Sequence, residues 1–203
     1  DKKKLWRHSF TATFFIYDII NKEFLPVSSQ NKKLRNVKFS PNGMYVSYVR
    51  EDNNIYVFNI KTKRERQLTR TGSKTLLNGH FGWLYEEELT GYDGYRWSPD
   101  SEYISFWEEN EEMVPEFFML NELNHYPTIK KIRYPKVGEI NPSLRLGIIR
   151  IKGAGRKWIK GGEVVDGYLP WMEWVNKDKI AYKRLDRLQK NWDILVADRK
   201  TGK

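Results

Sequence analysis

The sequence predicts an all-β fold: an incomplete β-propeller of about three to four blades of antiparallel four-stranded sheet, with a short helical insertion. Three observations predict it. Aromatic residues make up 15% of the 203 (8 Trp, 12 Tyr, 10 Phe), and together with many Val and Ile they suit a pleated, half-buried surface. Apolar positions alternate by two, whereas a helical solenoid would repeat them every three or four. A strand–turn–strand unit recurs along the chain.

The first strand is Phe15 to Ile19, which passes through Asn21-Lys22-Glu23 into Leu25-Pro26-Val27. Next comes Phe39-Ser40-Pro41-Asn42-Gly43 followed by the alternating run Tyr45 to Val49, a strand end, a tight turn and a second strand. Ile55 to Ile60 then runs through Lys61-Thr62-Lys63-Arg64 to Gln67-Leu68-Thr69, repeating the first unit. Asp18 and Asn59 hold equivalent places, at a separation close to the roughly 40–45 residues of a four-stranded blade.

The Ser-Pro turn returns at Trp97-Ser98-Pro99-Asp100-Ser101 before Tyr103 to Trp107. Gly153-Ala154-Gly155 and Gly161-Gly162 lack the Gly-Lys-Ser/Thr ending of a phosphate loop, and their spacing fits a strand–turn–strand hairpin. A weaker third copy of the turn unit starts at Trp174, and Ile194 to Asp198 before Lys200-Thr201-Gly202 repeats the second unit. The spacing between Phe39, Trp97 and Trp174 exceeds one blade, so the blades carry insertions.

The insertion between the first two turn units holds Gly79-His80-Phe81-Gly82-Trp83-Leu84-Tyr85-Glu86-Glu87-Glu88-Leu89. Three adjacent carboxylates repel one another, so a chain keeps them where solvent screens them or a cation answers them. Trp83, Tyr85, Tyr92, Tyr95 and Trp97 frame the cluster and suggest an element anchored in a core. A second acidic run, Glu108, Glu109, Glu111 and Glu112, reads as a solvated loop. His80 and His125 read as packing or hydrogen-bonding residues, because no second histidine stands at a metal-ligand spacing. The tryptophans read as blade core.

Composition excludes several classes. The formal net charge is +10, yet Lys and Arg are spread along the chain with only short runs such as Lys63-Arg64-Glu65-Arg66. A nucleic-acid footprint needs the charge gathered on one face, so a solvated surface is the better account. With 0 Cys, disulfides, a thiolate nucleophile and cysteine metal sites are impossible. No apolar run approaches the ~20 residues of a membrane span, so no membrane contact is expected from this segment, and no charged-then-apolar leader opens the chain. No cofactor motif is evident. The chain opens on Asp1-Lys2-Lys3-Lys4 and ends in a turn that should lead into another strand, so both ends read as cuts through a larger protein, and residues 1–203 as one partial propeller.

Four stretches carry a resemblance to a known family. Trp6-Arg7-His8-Ser9, the Trp83-Leu84-Tyr85-Glu86-Glu87-Glu88 stretch, Trp97-Ser98-Pro99-Asp100 and Ile132-Arg133-Tyr134-Pro135-Lys136-Val137-Gly138 resemble, in order, the propeller of the dipeptidyl peptidase IV family. The resemblance implies part of a serine exopeptidase that removes X-Pro or X-Ala dipeptides from free amino termini. In that family a propeller sits over an α/β-hydrolase domain that carries the Ser-Asp-His triad. That domain is not in this chain and no Gly-x-Ser-x-Gly elbow occurs here, so no catalytic residue is assigned and the chain alone should be inactive.

The resemblance further implies that Glu87 and Glu88 hold the substrate's α-ammonium, and that Arg7 lies beside them and contacts a substrate carbonyl. It leaves Glu86 pointing elsewhere, as a cap or an ion-pair partner. It also implies homodimers formed through a propeller arm and the hydrolase domain. The paired glutamates favour a dipeptide product over the tripeptide of related enzymes. The lack of cysteine departs from the disulfide-bearing animal members and points to a bacterial source with a periplasmic or extracellular location. The loop Leu89 to Gly94 also differs from the animal pattern. The competing reading is the propeller of a non-catalytic member, acting as a protein-interaction module.

Overall fold

The computed structural model describes residues 1–28, 33–153 and 155–203. The chain opens with β1 (Lys2–Lys4) and β2 (Phe10–Ala12), which pair with each other, then the hairpin of β3 (Phe15–Asp18) and β4 (Glu23–Pro26). A four-stranded antiparallel sheet follows in sequence order: β5 (Arg35–Phe39), β6 (Tyr45–Val49), β7 (Ile55–Asn59) and β8 (Arg64–Gln67). Next come β9 (Leu76–Asn78) and the helix α1 (Trp83–Leu89).

The second sheet orders β10 (Tyr95–Trp97), β11 (Tyr103–Asn110), β14 (Ser143–Arg150) and β15 (Arg156–Val164), and β9 joins it as a fifth strand on β11. A hairpin of β12 (Glu116–Asn121) and β13 (Thr128–Arg133) grows out between β11 and β14. The last sheet is β16 (Gly167–Trp174), β17 (Lys179–Asp186) and β18 (Trp192–Asp198). The fold is therefore mostly antiparallel sheet in successive blades, a partial propeller with one short helix.

The repeated turn chemistry explains why the blades form where they do. Ser40 N–H donates to the Tyr45 carbonyl at 2.9 Å and Ser98 N–H to that of Tyr103 at 2.9 Å, so the two Ser-Pro turns close the same ring. The Ser40 hydroxyl meets Asn42 at 2.8 Å and the Ser98 hydroxyl meets Asp100 at 2.6 Å. Such a side chain fixes its own turn without help from the core. The other repeated unit behaves alike: Asp18 Oδ1 accepts from the amides of Ile20 and Asn21, Asn59 Oδ1 from Thr62, and Asp198 Oδ1 from Lys200 and Thr201.

The insertion helix is tied into the apolar core between the last two sheets. Phe81 stacks on Tyr85 with centroids 5.1 Å apart and meets Trp107 edge-on at 5.3 Å. The Leu169 backbone links the two aromatic residues: its N–H donates to the Tyr85 hydroxyl at 3.0 Å and its carbonyl accepts from Trp107 Nε1 at 2.8 Å. Burying an aromatic ring of this size contributes roughly 2–3 kcal/mol, so Tyr85 alone holds the helix down strongly. Thr90, in the left-handed conformation at φ 54°, ends the helix, and Gly91 N–H caps the Tyr85 carbonyl at 2.8 Å.

Several expectations are corrected. Glu108, Glu109 and Glu111 are buried, and only Glu112 of that acidic run is exposed. The reason is that Glu108 and Glu109 lie in β11, an inner strand, where Thr71 and Arg145 cover the one carboxylate and the Gly82 amide meets the other, while Glu111 follows the strand with its own amide on the Thr75 carbonyl. Trp171 and Trp192 lie exposed on their strands and are not core. Gly161 and Gly162 sit inside β15, not in a turn. The turn assigned to Gly153-Ala154-Gly155 falls at the β14–β15 junction, with Ala154 outside the described residues.

Candidate functional site

Helix α1 presents its three glutamates to three different surroundings. Neighbouring helical residues differ by about 100° in direction, so with Tyr85 in the core its three successors take three different directions, one of them still inward. Glu86 is 1% exposed. Its Oε1 accepts the backbone N–H of His8 at 2.6 Å and of Ser9 at 2.7 Å. Glu87 lies at the edge, and Arg7 donates Nε to its Oε1 at 2.7 Å while a terminal guanidinium nitrogen reaches the same oxygen. Glu88 is exposed and makes no hydrogen bond or ion pair among the described residues.

The structure thus brings Arg7 and Glu87 together across the chain and leaves Glu88 open beside them. The Arg7 hydrogen bond holds Glu87 below the usual carboxylate range, and Glu87 in turn raises Arg7. Lys4, Leu5, Trp6, Arg7 and Glu87 line a shallow surface groove. Both Arg7 bonds fall on Oε1, so Glu87 Oε2 and the whole Glu88 carboxylate face outward as acceptors. Arg7 answers Glu87, and the Glu88 carboxylate beside it has no ion-pair partner among the described residues, which suits an ammonium with three donors.

A polar layer supports the loop before the helix. Arg35 meets His80 Nδ1 at 2.9 Å and His80 Nε2 meets Asn53 Oδ1 at 2.8 Å. Burial, together with the charge of Arg35, holds His80 well below its ordinary value, so this imidazole is a neutral strut. The Asn36 amide donates to the carbonyls of Gly79 and Tyr92 at 3.1 and 3.0 Å, closing the insertion from both sides. His125 is exposed against Tyr126. Among the described residues no group of three or more His, Cys, Asp and Glu is placed to hold a metal ion.

The helix start rests on the buried acids. Gly82, the N-cap, has no side-chain cap; its N–H donates to Glu109 Oε2 at 3.2 Å. A Cβ at Gly82 would lie 1.9 Å from Glu111 Oε1. Burial and then the charge of Glu111 push Glu109 well above the carboxylate range, and burial pushes Glu111 up to about 7 against the pull of Arg133. Sequence reasoning missed this support; it had Glu86 pointing elsewhere as a cap or ion-pair partner, and the structure has it accepting the His8 and Ser9 amides, with no ion pair among the described residues. The available signal for Glu86 was its place directly after the core residue Tyr85.

A family model described as the dipeptidyl peptidase IV (DPP IV) N-terminal region matches residues 1–203. Dipeptidyl peptidase 4 of Bos taurus is 32% identical, over 98% of this chain and 28% of its own length. Prolyl endopeptidase FAP of Mus musculus is 33% identical, over 98% of this chain and 27% of its own. The crystal structure of Porphyromonas gingivalis dipeptidyl peptidase 4 superposes with a TM-score of 0.94 at 32% identity, covering 100% of this chain and 29% of that one. The chain therefore spans about a quarter of the length of the relatives it matches.

Proposed function

The chain belongs to the dipeptidyl peptidase IV N-terminal-region family, and from that premise we propose that it recognises peptide amino termini for a serine dipeptidyl aminopeptidase. Glu87 and Glu88 grip the α-ammonium, and Arg7 keeps Glu87 ionised and offers its remaining donors to a substrate carbonyl. The observation that carries this reading is the Arg7–Glu87 pair formed across the chain with Glu88 left open beside it. Each charge-assisted bond to an ammonium is worth roughly 1.5–3 kcal/mol, and an internal peptide bond has no such charge to offer. An extended residue spans about 3.3–3.6 Å. A nucleophile about two residues from the clamp therefore releases a dipeptide, X-Pro or X-Ala according to a pocket in the hydrolase domain.

The catalytic triad belongs to that hydrolase domain, so this chain alone is inactive. The test uses the full-length protein and a free-amine X-Pro peptide. Glu87→Ala and Glu88→Ala are each expected to remove most turnover while leaving the fold intact. Unchanged turnover rejects the reading.

No helix among the described residues is long and apolar enough to cross a membrane, and a periplasmic or extracellular location fits a cysteine-free member of bacterial origin. Fractionation of the source cells tests it, and recovery in the cytoplasm rejects it. The β12–β13 hairpin exposes Phe118, Met119, Leu120 and Ile129, an apolar surface suited to a protein partner. It favours a homodimer through this arm, and it equally suits the second reading, a non-catalytic interaction module. A Gly-x-Ser-x-Gly elbow in the parent protein separates the two.

A further inference from the structure

We propose that Glu86 is the positioning residue of the amino-terminus clamp: it sets the Arg7 side chain on Glu87 by holding the backbone that follows Arg7. This rests on the clamp reading above. Arg7 sits on an irregular stretch between β1 and β2, and its side chain is 65% exposed. A long exposed side chain on such a stretch has many rotamers to choose from, and an exposed ion pair alone holds it weakly.

Glu86 supplies the missing constraint. Its Oε1 takes the two consecutive amides of His8 and Ser9 at 2.6 and 2.7 Å, and its carboxylate is buried beneath them. A charged acceptor shared by two backbone donors is a strong tether, and it fixes the Cα of Arg7 one residue upstream. The loop is closed further by Leu5 N–H on the Ser9 carbonyl at 3.0 Å. Because Glu86 and Glu87 are helical neighbours, one holds the loop's backbone and the other its arginine, so the loop and the helix meet in one register. Glu88 is left to the ligand. Glu86 itself is too enclosed to touch a substrate.

The experiment measures kcat/KM of the full-length enzyme for a free-amine X-Pro chromogenic amide, with variants at Arg7, Glu86 and Glu87. Glu86→Ala is expected to lower kcat/KM by about tenfold or more, as losses of positioning do, and Glu86→Gln to restore it, since the amide oxygen still accepts both N–H groups. In an Arg7→Ala background Glu86→Ala is expected to add less than about a twofold loss, because it acts through Arg7; a merely structural role adds its full loss there too. Glu86→Asp keeps the charge but draws the oxygen back by one methylene, and serves the same test if Glu86→Ala does not fold.

An unchanged Glu87→Ala enzyme overturns the clamp itself. A loss in Glu87→Ala beside an unimpaired Glu86→Ala enzyme overturns only the role of Glu86. So does an equal loss from Glu86→Ala with and without Arg7.

Discussion

Raising the pH from 4 to 8 should weaken the fold through Glu111, and the size of the effect follows from its surroundings. Burial moves Glu111 from 4.5 to about 7. Between those values the unfolded chain has released this proton and the folded chain still holds it. The folded state binds more protons there, so stability falls as pH rises. The contribution is fully present below about 4.5 and fully lost above about 7. One pKa unit corresponds to about 1.4 kcal/mol, so the loss is about 3 kcal/mol, a large share of a typical folding free energy. Glu111→Gln keeps the volume, cannot ionise and also relieves Glu109, whose shift has the same direction. The assay is urea unfolding followed by tryptophan fluorescence at each pH, for the parent chain and the variant. The parent is expected to lose about 3 kcal/mol relative to Glu111→Gln between pH 4 and pH 8. Parallel profiles, or a parent that gains on the variant as pH rises, refute the reasoning.

Gly82→Ala forces a Cβ against Glu111, and overpacking of this kind costs about 1–3 kcal/mol; the same unfolding assay is expected to show it, and a variant as stable as the parent rejects the contact. Trp107→Ala empties a 2%-exposed site and orphans the Leu169 carbonyl; a loss of about 3–5 kcal/mol is expected, and a loss under about 1 kcal/mol counts against the core assignment. Arg7→Ala removes a largely exposed ion pair and is expected to leave the denaturation midpoint nearly unchanged while lowering activity of the full-length enzyme. A marked drop in that midpoint makes Arg7 a stability residue instead.

What the sequence made legible follows from where the information is local. The Ser40 and Ser98 turns, whose hydroxyls accept the Tyr45 and Tyr103 amides, and those at Asp18, Asn59 and Asp198, are each specified by a side chain that bonds backbone within a few residues. Blade boundaries were readable for that reason. The Arg7–Glu87 pair spans 80 positions, and only the resemblance of both motifs to one family made it visible.

Glu109 was misread because acidic residues in a run look like solvated loop. The β9 strand that closes off its edge lies some thirty positions upstream, and no local pattern announces that pairing. The β12–β13 hairpin was missed for the opposite reason. Apart from the buried Ile132 its apolar side chains are exposed, so no alternation marks a buried face.

The hairpin's root has a mechanical consequence. Lys130 sits 4.5 Å over the Trp6 ring, and Tyr134, just past the end of β13, packs 4.3 Å from Trp83. Trp6 directly precedes Arg7, and Trp83 begins the helix that carries the glutamates. Through Lys130 and Tyr134 the projection thus leans both on the residue before Arg7 and on the first residue of the helix that carries Glu87, so a tilt of the hairpin reaches both members of that ion pair together.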